Sequence, residues 1–181
     1  RRTGFAEGFA AARVESEFRD FFARVGRYVH DESAGDVLEG RVLHGTLPRR
    51  QRIVVTGGNL SLIAPVLASP FAGAFETEGK WLAIEEIGEQ PHQIDRMLAG
   101  LSLSGLLDRA DGILLGDFHS DDRDLRDAAY RILRKHLPVR TKKPIISLEG
   151  FGHTWPLTPL PIHHELTLIR KTEAGKVELR G

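Results

Sequence analysis

The sequence predicts an α/β domain built on a mixed sheet, and three features point to this class. From residue 53 onward, short aliphatic runs alternate with amphipathic helical patterns, which is typical of parallel strands joined by helices. The C-terminal segment instead predicts two strands on either side of Ala174-Gly175, and such a hairpin adds antiparallel pairing. With 181 residues and a hydrophobic fraction of 41%, the chain is large and apolar enough for one ordinary domain.

The predicted elements follow one another in a regular order. Strands are expected over residues 53–55, 81–84, 113–115, 145–148, 164–170 and 177–179. Helices are expected over residues 60–69 with Asn59 as the N-cap, after Pro91, and over residues 122–137. The residues expected to face the core from the last two helices are Ile94, Met97, Leu98, Leu101 and Leu106, and Leu125, Ala129, Ile132 and Leu133.

Residues 1–50 are predicted to form an interdomain helical linker that precedes a domain over residues 51–181. Apolar residues recur there at helical spacing, with Arg, Glu and Asp on the opposite face, and a loop over residues 31–36 ends the pattern. The apolar positions are Phe18, Phe21, Phe22, Val25, Tyr28 and Val29. We expect this segment to act as a hinge that packs on a neighbour.

Composition argues against several classes of partner. The 25 basic and 25 acidic residues cancel, which removes the electrostatic case for binding nucleic acid or an anionic membrane. No apolar run approaches the roughly 18 to 20 residues that a membrane span needs. The absence of cysteine excludes disulfides and fits a cytoplasmic protein. Because the chain begins Arg1-Arg2-Thr3 without Met, we expect that it was cut from a longer polypeptide.

Three predicted strand ends carry polar residues that suit a binding site. They are Gly57-Gly58-Asn59, residues 85–89 and residues 150–153. In α/β sheets, ligands bind beyond the carboxyl ends of the strands, so neighbouring strands would bring these loops to one rim. The two glycines before Asn59 lack the spacing of a phosphate-binding loop, and a tight turn into a capped helix explains them equally well.

His153 and Glu85 are the strongest catalytic candidates. An imidazole that titrates near neutrality can take a proton from a hydroxyl and return it, and a carboxylate can fix its tautomer. Only one of Glu85 and Glu86 can face the crevice, because side chains alternate along a strand. The alternatives are a loop histidine that bonds to its own turn and a solvated strand end.

Other polar residues are predicted to be structural. The cluster Asp117, His119, Asp121, Asp122 and Asp124 resembles a set of cation ligands, but solvated loops and helix caps explain such clusters better, so no metal or cofactor is expected. His163 and His164 begin a strand, and Glu89 and Asp95 are taken as surface or helix-start acids. None of Ser61, Ser102, Ser104 and Ser147 has the exposed turn of a nucleophile.

An ordered set of motifs resembles the serine LD-carboxypeptidases, a family that includes murein tetrapeptide carboxypeptidases and microcin C immunity peptidases. The motifs are residues 57–62 (GGNLSL), 78–89 (EGKWLAIEEIGE), 94–98 (IDRML), 110–118 (ADGILLGDF) and 151–153 (FGH). The resemblance implies a swivelling β/α-type C-terminal domain with a mixed sheet. It also implies that Glu85 and His153 complete a Ser-Glu-His triad, and that Asn59 and Glu89 line the substrate pocket.

The same resemblance implies that the serine and the oxyanion donors belong to an N-terminal domain outside this sequence. The complete protein is then expected to be a cytoplasmic homodimer that removes the terminal D-alanine from murein tetrapeptides. Two alternatives stay open. One is an immunity-type peptidase that cleaves a peptidyl-nucleotide, although the acid at Glu89 suits a substrate amine better than a phosphate analogue. The other is a non-catalytic module for dimerisation or regulation.

Overall fold

The computed structural model describes residues 37–121, 123–154 and 157–181, and seven positions between 15 and 25. Those seven positions, which include Phe22 and Val25, are helical, as the sequence predicts for this segment. The predictions for Phe18, Phe21, Tyr28, Val29 and the loop over residues 31–36 lie outside the described residues.

Eight strands and four helices make up the described domain. The strands are β1 (Val37–His44), β2 (Arg50–Asn59), β3 (Trp81–Ile87), β4 (Gly112–Ser120), β5 (Arg123–Asp124), β6 (Ile145–Leu148), β7 (Glu165–Arg170) and β8 (Lys176–Arg180). The helices are α1 (Leu60–Val66), α2 (Pro91–Leu103), α3 (Leu106–Arg109) and α4 (Arg126–Lys135), with a 3₁₀ turn at Ala72–Ala74.

Seven of the strands close into a barrel. Strands β2, β3, β4 and β6 pair side by side in parallel. Strands β7, β8 and β1 complete the circle with antiparallel pairs, from β2 through the β7–β8 hairpin to β1 and back to β6. Strand β5 is a short addition to β4. The predicted mixed sheet is therefore confirmed, and its closure gives each of the seven strands a neighbour on both sides.

The alternation of side chains along the strands divides the core in two. One cluster fills the barrel and draws on all seven strands: Leu38, Leu47, Ile53, Val55, Trp81, Ala83, Leu114, Ile146, Leu148, Leu166, Leu168, Val177 and Leu179. The other cluster lies between the parallel strands and the helices, and includes Leu60, Ile63, Leu82, Ile84, Ile94, Leu98, Leu101, Ile113, Leu115, Phe118, Ala129, Ile132, Leu133 and Ile145. The burial of the residues predicted to face the core is confirmed, with Met97 only partly buried. Leu106, however, lies on the separate helix α3, and Leu125 directly precedes α4.

The starts of α4 and of the barrel differ from the sequence predictions. Helix α4 begins at Arg126 rather than at residue 122, because Arg123 and Asp124 pair with the end of β4. Strand β1 and the first residue of β2, Arg50, lie within the segment assigned to the linker, so nine strand residues before residue 51 belong to the barrel. Over the described part of the chain, no helix combines the length and apolar character that a membrane crossing requires.

Candidate active site

The candidate site lies at the end of the barrel where the four parallel strands finish. Glu85 is in β3, and its register partner on β2 is Asn59. The loop after β6 reaches across β4, where the Asp117 amide donates to the Phe151 carbonyl oxygen at 2.8 Å. This path carries His153 from β6 to Glu85 on β3. Two of the three predicted strand ends therefore meet, and the third lies on the adjacent strand.

Glu85 and His153 form a hydrogen-bonded pair. The distance between His153 Nδ1 and Glu85 Oε2 is 2.8 Å. The glutamate side chain is only 6% exposed, whereas the imidazole is 50% exposed. A carboxylate only accepts hydrogen bonds, so Nδ1 carries the proton and Nε2 of the neutral ring keeps its lone pair. A buried carboxylate thus orients a half-exposed imidazole, which is the arrangement of a general base and its partner.

Strand β4 contains a bulge directly opposite the glutamate. The register of β3 and β4 shifts after the pair Ile84–Leu115, so that two residues of β4, Gly116 and Asp117, stand opposite Glu85 alone. Bulges bend a strand and re-aim its side chains, and they are enriched next to active sites. The bulge shapes the strand over which the histidine loop runs.

Glu86 faces the opposite side of β3 and has different partners. Its Oε2 accepts from the Ser61 amide at 2.7 Å, and its Oε1 accepts from the Ile87 amide at 2.9 Å. Burial raises the pKa of Glu86 above its usual value of 4.5, and the charge of Glu89 adds to the rise. The hydrogen bonds from the two backbone amides oppose this rise. Both acids of the pair are therefore buried, and only Glu85 bonds to the histidine.

Asn59 caps α1, as the sequence predicts. Its Oδ1 accepts from the Leu62 amide at 3.2 Å and from the Ser61 hydroxyl at 2.7 Å. The two glycines before it are not a turn but the last part of β2. A Cβ at Gly57 would lie 1.9 Å from the Ala83 carbonyl oxygen, so this glycine permits the close pairing of β2 with β3. This close approach of the two strands accounts for glycine at position 57, so no bound anion is needed to explain it.

Glu89 lies between the end of β3 and α2, at a groove between α1 and α2. The groove has a volume of about 720 Å³, and its lining includes Glu89, Arg96 and the apolar side chains of Leu67 and Met97. The side chain of Glu89 is half-buried. The structure therefore places Asn59 next to Glu85 in the sheet and Glu89 beyond the same strand end.

The predicted acidic cluster does not assemble into a metal site. Asp121 accepts from Gln90, and Asp124 is held by Arg126. Among residues 37–121, 123–154 and 157–181, no three His, Cys, Asp or Glu side chains are grouped so that they could hold a metal ion. Asp117 instead bonds to the histidine loop, and Asp122 lies outside the described residues.

The remaining candidate residues have structural contacts. The His163 amide donates to the Val55 carbonyl oxygen, and the side chains of His163 and His164 are exposed. The Ser102 hydroxyl donates to the His136 carbonyl oxygen, and that of Ser104 donates to Leu101. These contacts hold loops and helix ends in place.

Sequence reasoning missed the roles of Glu86 and Asp117. The signal for Glu86 was the position of Ser61 in the first turn of α1, because the backbone amides of a first turn need an acceptor from outside the helix. The signal for Asp117 was the repeated glycine, since Gly116 and Gly152 both allow backbone to approach closely. Neither signal names its partner, because the contacts join residues 25 and 37 positions apart.

The fold and the site together define a family. Residues 54–168 match the sequence model of the LD-carboxypeptidase C-terminal domain. The chain belongs to the LD-carboxypeptidase family, and the resemblance of its ordered motifs is thereby confirmed.

Individual relatives agree with this assignment. A Bacillus subtilis (strain 168) protein named "Probable murein peptide carboxypeptidase" is 38% identical over 137 residues, which are 73% of this chain and 41% of that protein. The structure of muramoyltetrapeptide carboxypeptidase from Oxalobacter formigenes has a TM-score of 0.63 and 25% identity, over 87% of this chain and 53% of that one. The microcin C7 self immunity protein shares the fold, with a TM-score of 0.58 and 21% identity, over 79% of this chain and 41% of that one. The chain thus spans about half the length of these relatives or less.

Proposed function

We propose that this chain is the C-terminal part of a serine-type LD-carboxypeptidase that releases the terminal D-alanine from murein tetrapeptides. The observation that carries the proposal is the bond of 2.8 Å between buried Glu85 and half-exposed His153. The nucleophilic serine belongs to an N-terminal domain, either in the same polypeptide or as a separate chain. The names of the Bacillus and Oxalobacter relatives support a murein peptide as substrate.

In this mechanism His153 accepts a proton and passes it on once in each of two half-reactions. Its Nε2 accepts the proton of the serine hydroxyl while the serine oxygen attacks the carbonyl carbon of the scissile bond. The buried Glu85 carboxylate stabilises the imidazolium that forms. The imidazolium then gives the proton to the nitrogen of D-alanine as that bond breaks. A water molecule then gives a proton to the same nitrogen and attacks the acyl-serine ester, and the imidazolium returns that proton to the departing serine oxygen, which restores the enzyme.

Two further side chains suit the substrate. The hydrogen bonds that cap α1 use the side-chain oxygen of Asn59, Oδ1. Its side-chain nitrogen, Nδ2, therefore remains to donate to a carbonyl or carboxylate of the substrate. The carboxylate of Glu89 suits the amine of a diamino acid. A peptidyl-nucleotide substrate would place phosphate-like oxygens near this acid, which is unfavourable. Glu89 therefore favours the murein peptide over the immunity-type substrate.

The direct test measures D-alanine release from a murein tetrapeptide by the complete protein. We expect His153→Ala to lower kcat by roughly 10⁴-fold, as removal of a triad member does in other serine hydrolases. His163→Ala, which removes an exposed histidine of another loop, is the matched control and should keep its activity. Chelators should have no effect. Near-normal turnover by His153→Ala would exclude the assignment.

Two properties of the complete protein are proposed with this function. We place it in the cytoplasm, where murein peptides are recycled, and we expect a homodimer. Light scattering after size-exclusion chromatography measures the second property, and fractionation of cells measures the first. If the complete protein cleaves a peptidyl-nucleotide and leaves the tetrapeptide intact, the immunity-type function replaces this one. A folded complex without either activity would favour a regulatory module.

A further inference from the structure

We propose that Asp117 is a positioning residue that holds the catalytic loop of His153 against the bulge in β4. The proposal rests on the proposed function for its activity readout. Its structural part concerns only contacts between described residues. The hydrogen bonds of Asp117 go to the backbone of this loop, so its effect is exerted through the loop.

The first argument is the double attachment of the loop to one residue. The Asp117 amide donates to the Phe151 carbonyl oxygen at 2.8 Å. The Asp117 Oδ2 accepts from the Thr154 amide at 3.1 Å. The two bonds fix the backbone on both sides of His153, two residues before it and one residue after it. The backbone of His153, which lies between these anchors, has little freedom to move away from Glu85.

The second argument is the glycine on each side of the contact. A Cβ at Gly152 would lie 2.7 Å from the Asp117 Cβ, and a Cβ at Gly116 would lie 2.2 Å from the Phe151 carbonyl oxygen. Gly152 also has φ of +140°, which L side chains rarely adopt. Only glycine at both positions lets the loop lie directly on β4. The space that Gly152 leaves beside His153 is therefore occupied by Asp117 of β4.

The third argument is the cost of burying the Asp117 carboxylate. This residue is only 6% exposed, and its carboxylate needs hydrogen bonds to compensate for the lost water. A buried charge with a bond to the loop backbone is sensitive to any displacement of that loop. The bulge adds the extra residue of β4 that makes the contact, since Gly116 and Asp117 together oppose Glu85. The bulge in β4 thus positions the Asp117 carboxylate where it can bond to the histidine loop.

The experiment compares three variants of the complete protein. Asp117→Ala removes the acceptor for Thr154, and we expect kcat to fall about 100-fold with little change in KM, because a small misplacement of a catalytic group has this effect. Asp117→Asn keeps an acceptor oxygen and should retain most of the activity. Asp127→Ala, which removes an exposed carboxylate from α4, is the matched control and should behave as wild type.

A second readout does not depend on catalysis. In protein with ¹⁵N-labelled histidine, the Nδ1–H of His153 bonded to Glu85 should give a slowly exchanging downfield proton resonance. We expect this resonance in the wild type, in Asp117→Asn and in Asp127→Ala, and we expect its loss in Asp117→Ala. Thermal unfolding identifies any variant that has lost its fold, and Gly152→Ala, which pushes the loop from the same carboxylate, then replaces Asp117→Ala.

The outcomes separate the two proposals. If the wild type releases no D-alanine but the resonance responds to Asp117 as expected, the proposed function fails and the positioning role stands. If folded Asp117→Ala keeps the resonance, and keeps wild-type kcat where the wild type is active, the positioning role is overturned. Equal losses in Asp117→Ala and Asp117→Asn without a change in the resonance would also overturn it.

Discussion

At the scale of single residues, two adjacent glutamates of β3 face opposite sides of the strand and have different environments. Glu85 bonds to an ionisable ring, which a carboxylate can stabilise as a cation. Glu86 bonds to two backbone amides, and burial raises its pKa above the usual value. One acid is thus suited to chemistry and the other to holding the start of α1.

The raised pKa of Glu86 predicts a specific dependence of stability on pH. Between the usual value of 4.5 and the higher pKa in the folded protein, the folded state binds more protons than the unfolded state, so stability falls as pH rises through this window. Glu86→Gln cannot ionise and lacks this dependence. The stability of the wild type relative to the variant should therefore fall as pH rises, and level off above the folded pKa.

Urea unfolding of both proteins from about pH 4 to about pH 8 measures this difference. Glu78→Gln, which removes an exposed carboxylate just before β3, is the control. A constant difference between wild type and Glu86→Gln across the range would show that the pKa of Glu86 is not raised by folding.

At the scale of elements, the site depends on how closely β2 and β3 pair. The register that places Asn59 beside Glu85 is set along five consecutive pairs, from Val55–Trp81 onward. Gly57 lies in the middle of this register, where a side chain would meet the Ala83 carbonyl oxygen. The glycine therefore fixes a distance between strands, and through it the position of the candidate site.

Two neighbouring glycines allow this close approach to be measured. Gly57 and Gly58 have φ of +129° and +143°, so alanine at either position strains the backbone, at a cost of about 1–3 kcal/mol. Only Gly57 has an atom in the way, since nothing lies within 4 Å of a Cβ at Gly58. We expect Gly57→Ala to lose clearly more unfolding free energy than Gly58→Ala in urea titrations. Equal losses would mean that the two strands do not approach so closely.

Local patterns explain which elements were predictable. The aliphatic runs of β3, β4 and β6 are flanked by helices and buried on both faces, so each is visible in the sequence. The cap at Asn59 and the start of α2 at Pro91 are likewise local signals. Strand β1 has mixed burial and contains Gly40 and two charged residues, so its pattern is weak.

At the scale of the whole molecule, closure of the barrel could not be predicted, because it depends on pairs between distant parts of the chain. Strand β1 pairs with β6 and β8, more than 100 residues away in sequence. The predicted meeting of Glu85 and His153 required a family resemblance in addition to the strand-end argument. The bulge in β4 and the contacts of Asp117 needed the structure, since both arise from tertiary register.

The most direct test of the central claim is a crystal structure of the complete protein, with the distance from His153 Nε2 to the nearest serine Oγ measured. We expect one serine from outside residues 54–168 to lie within hydrogen-bond reach, about 2.6–3.2 Å and somewhat longer without substrate, while Glu85 stays bonded to Nδ1. A structure in which Nε2 faces bulk solvent, or in which His153 and Glu85 are apart, would contradict the account.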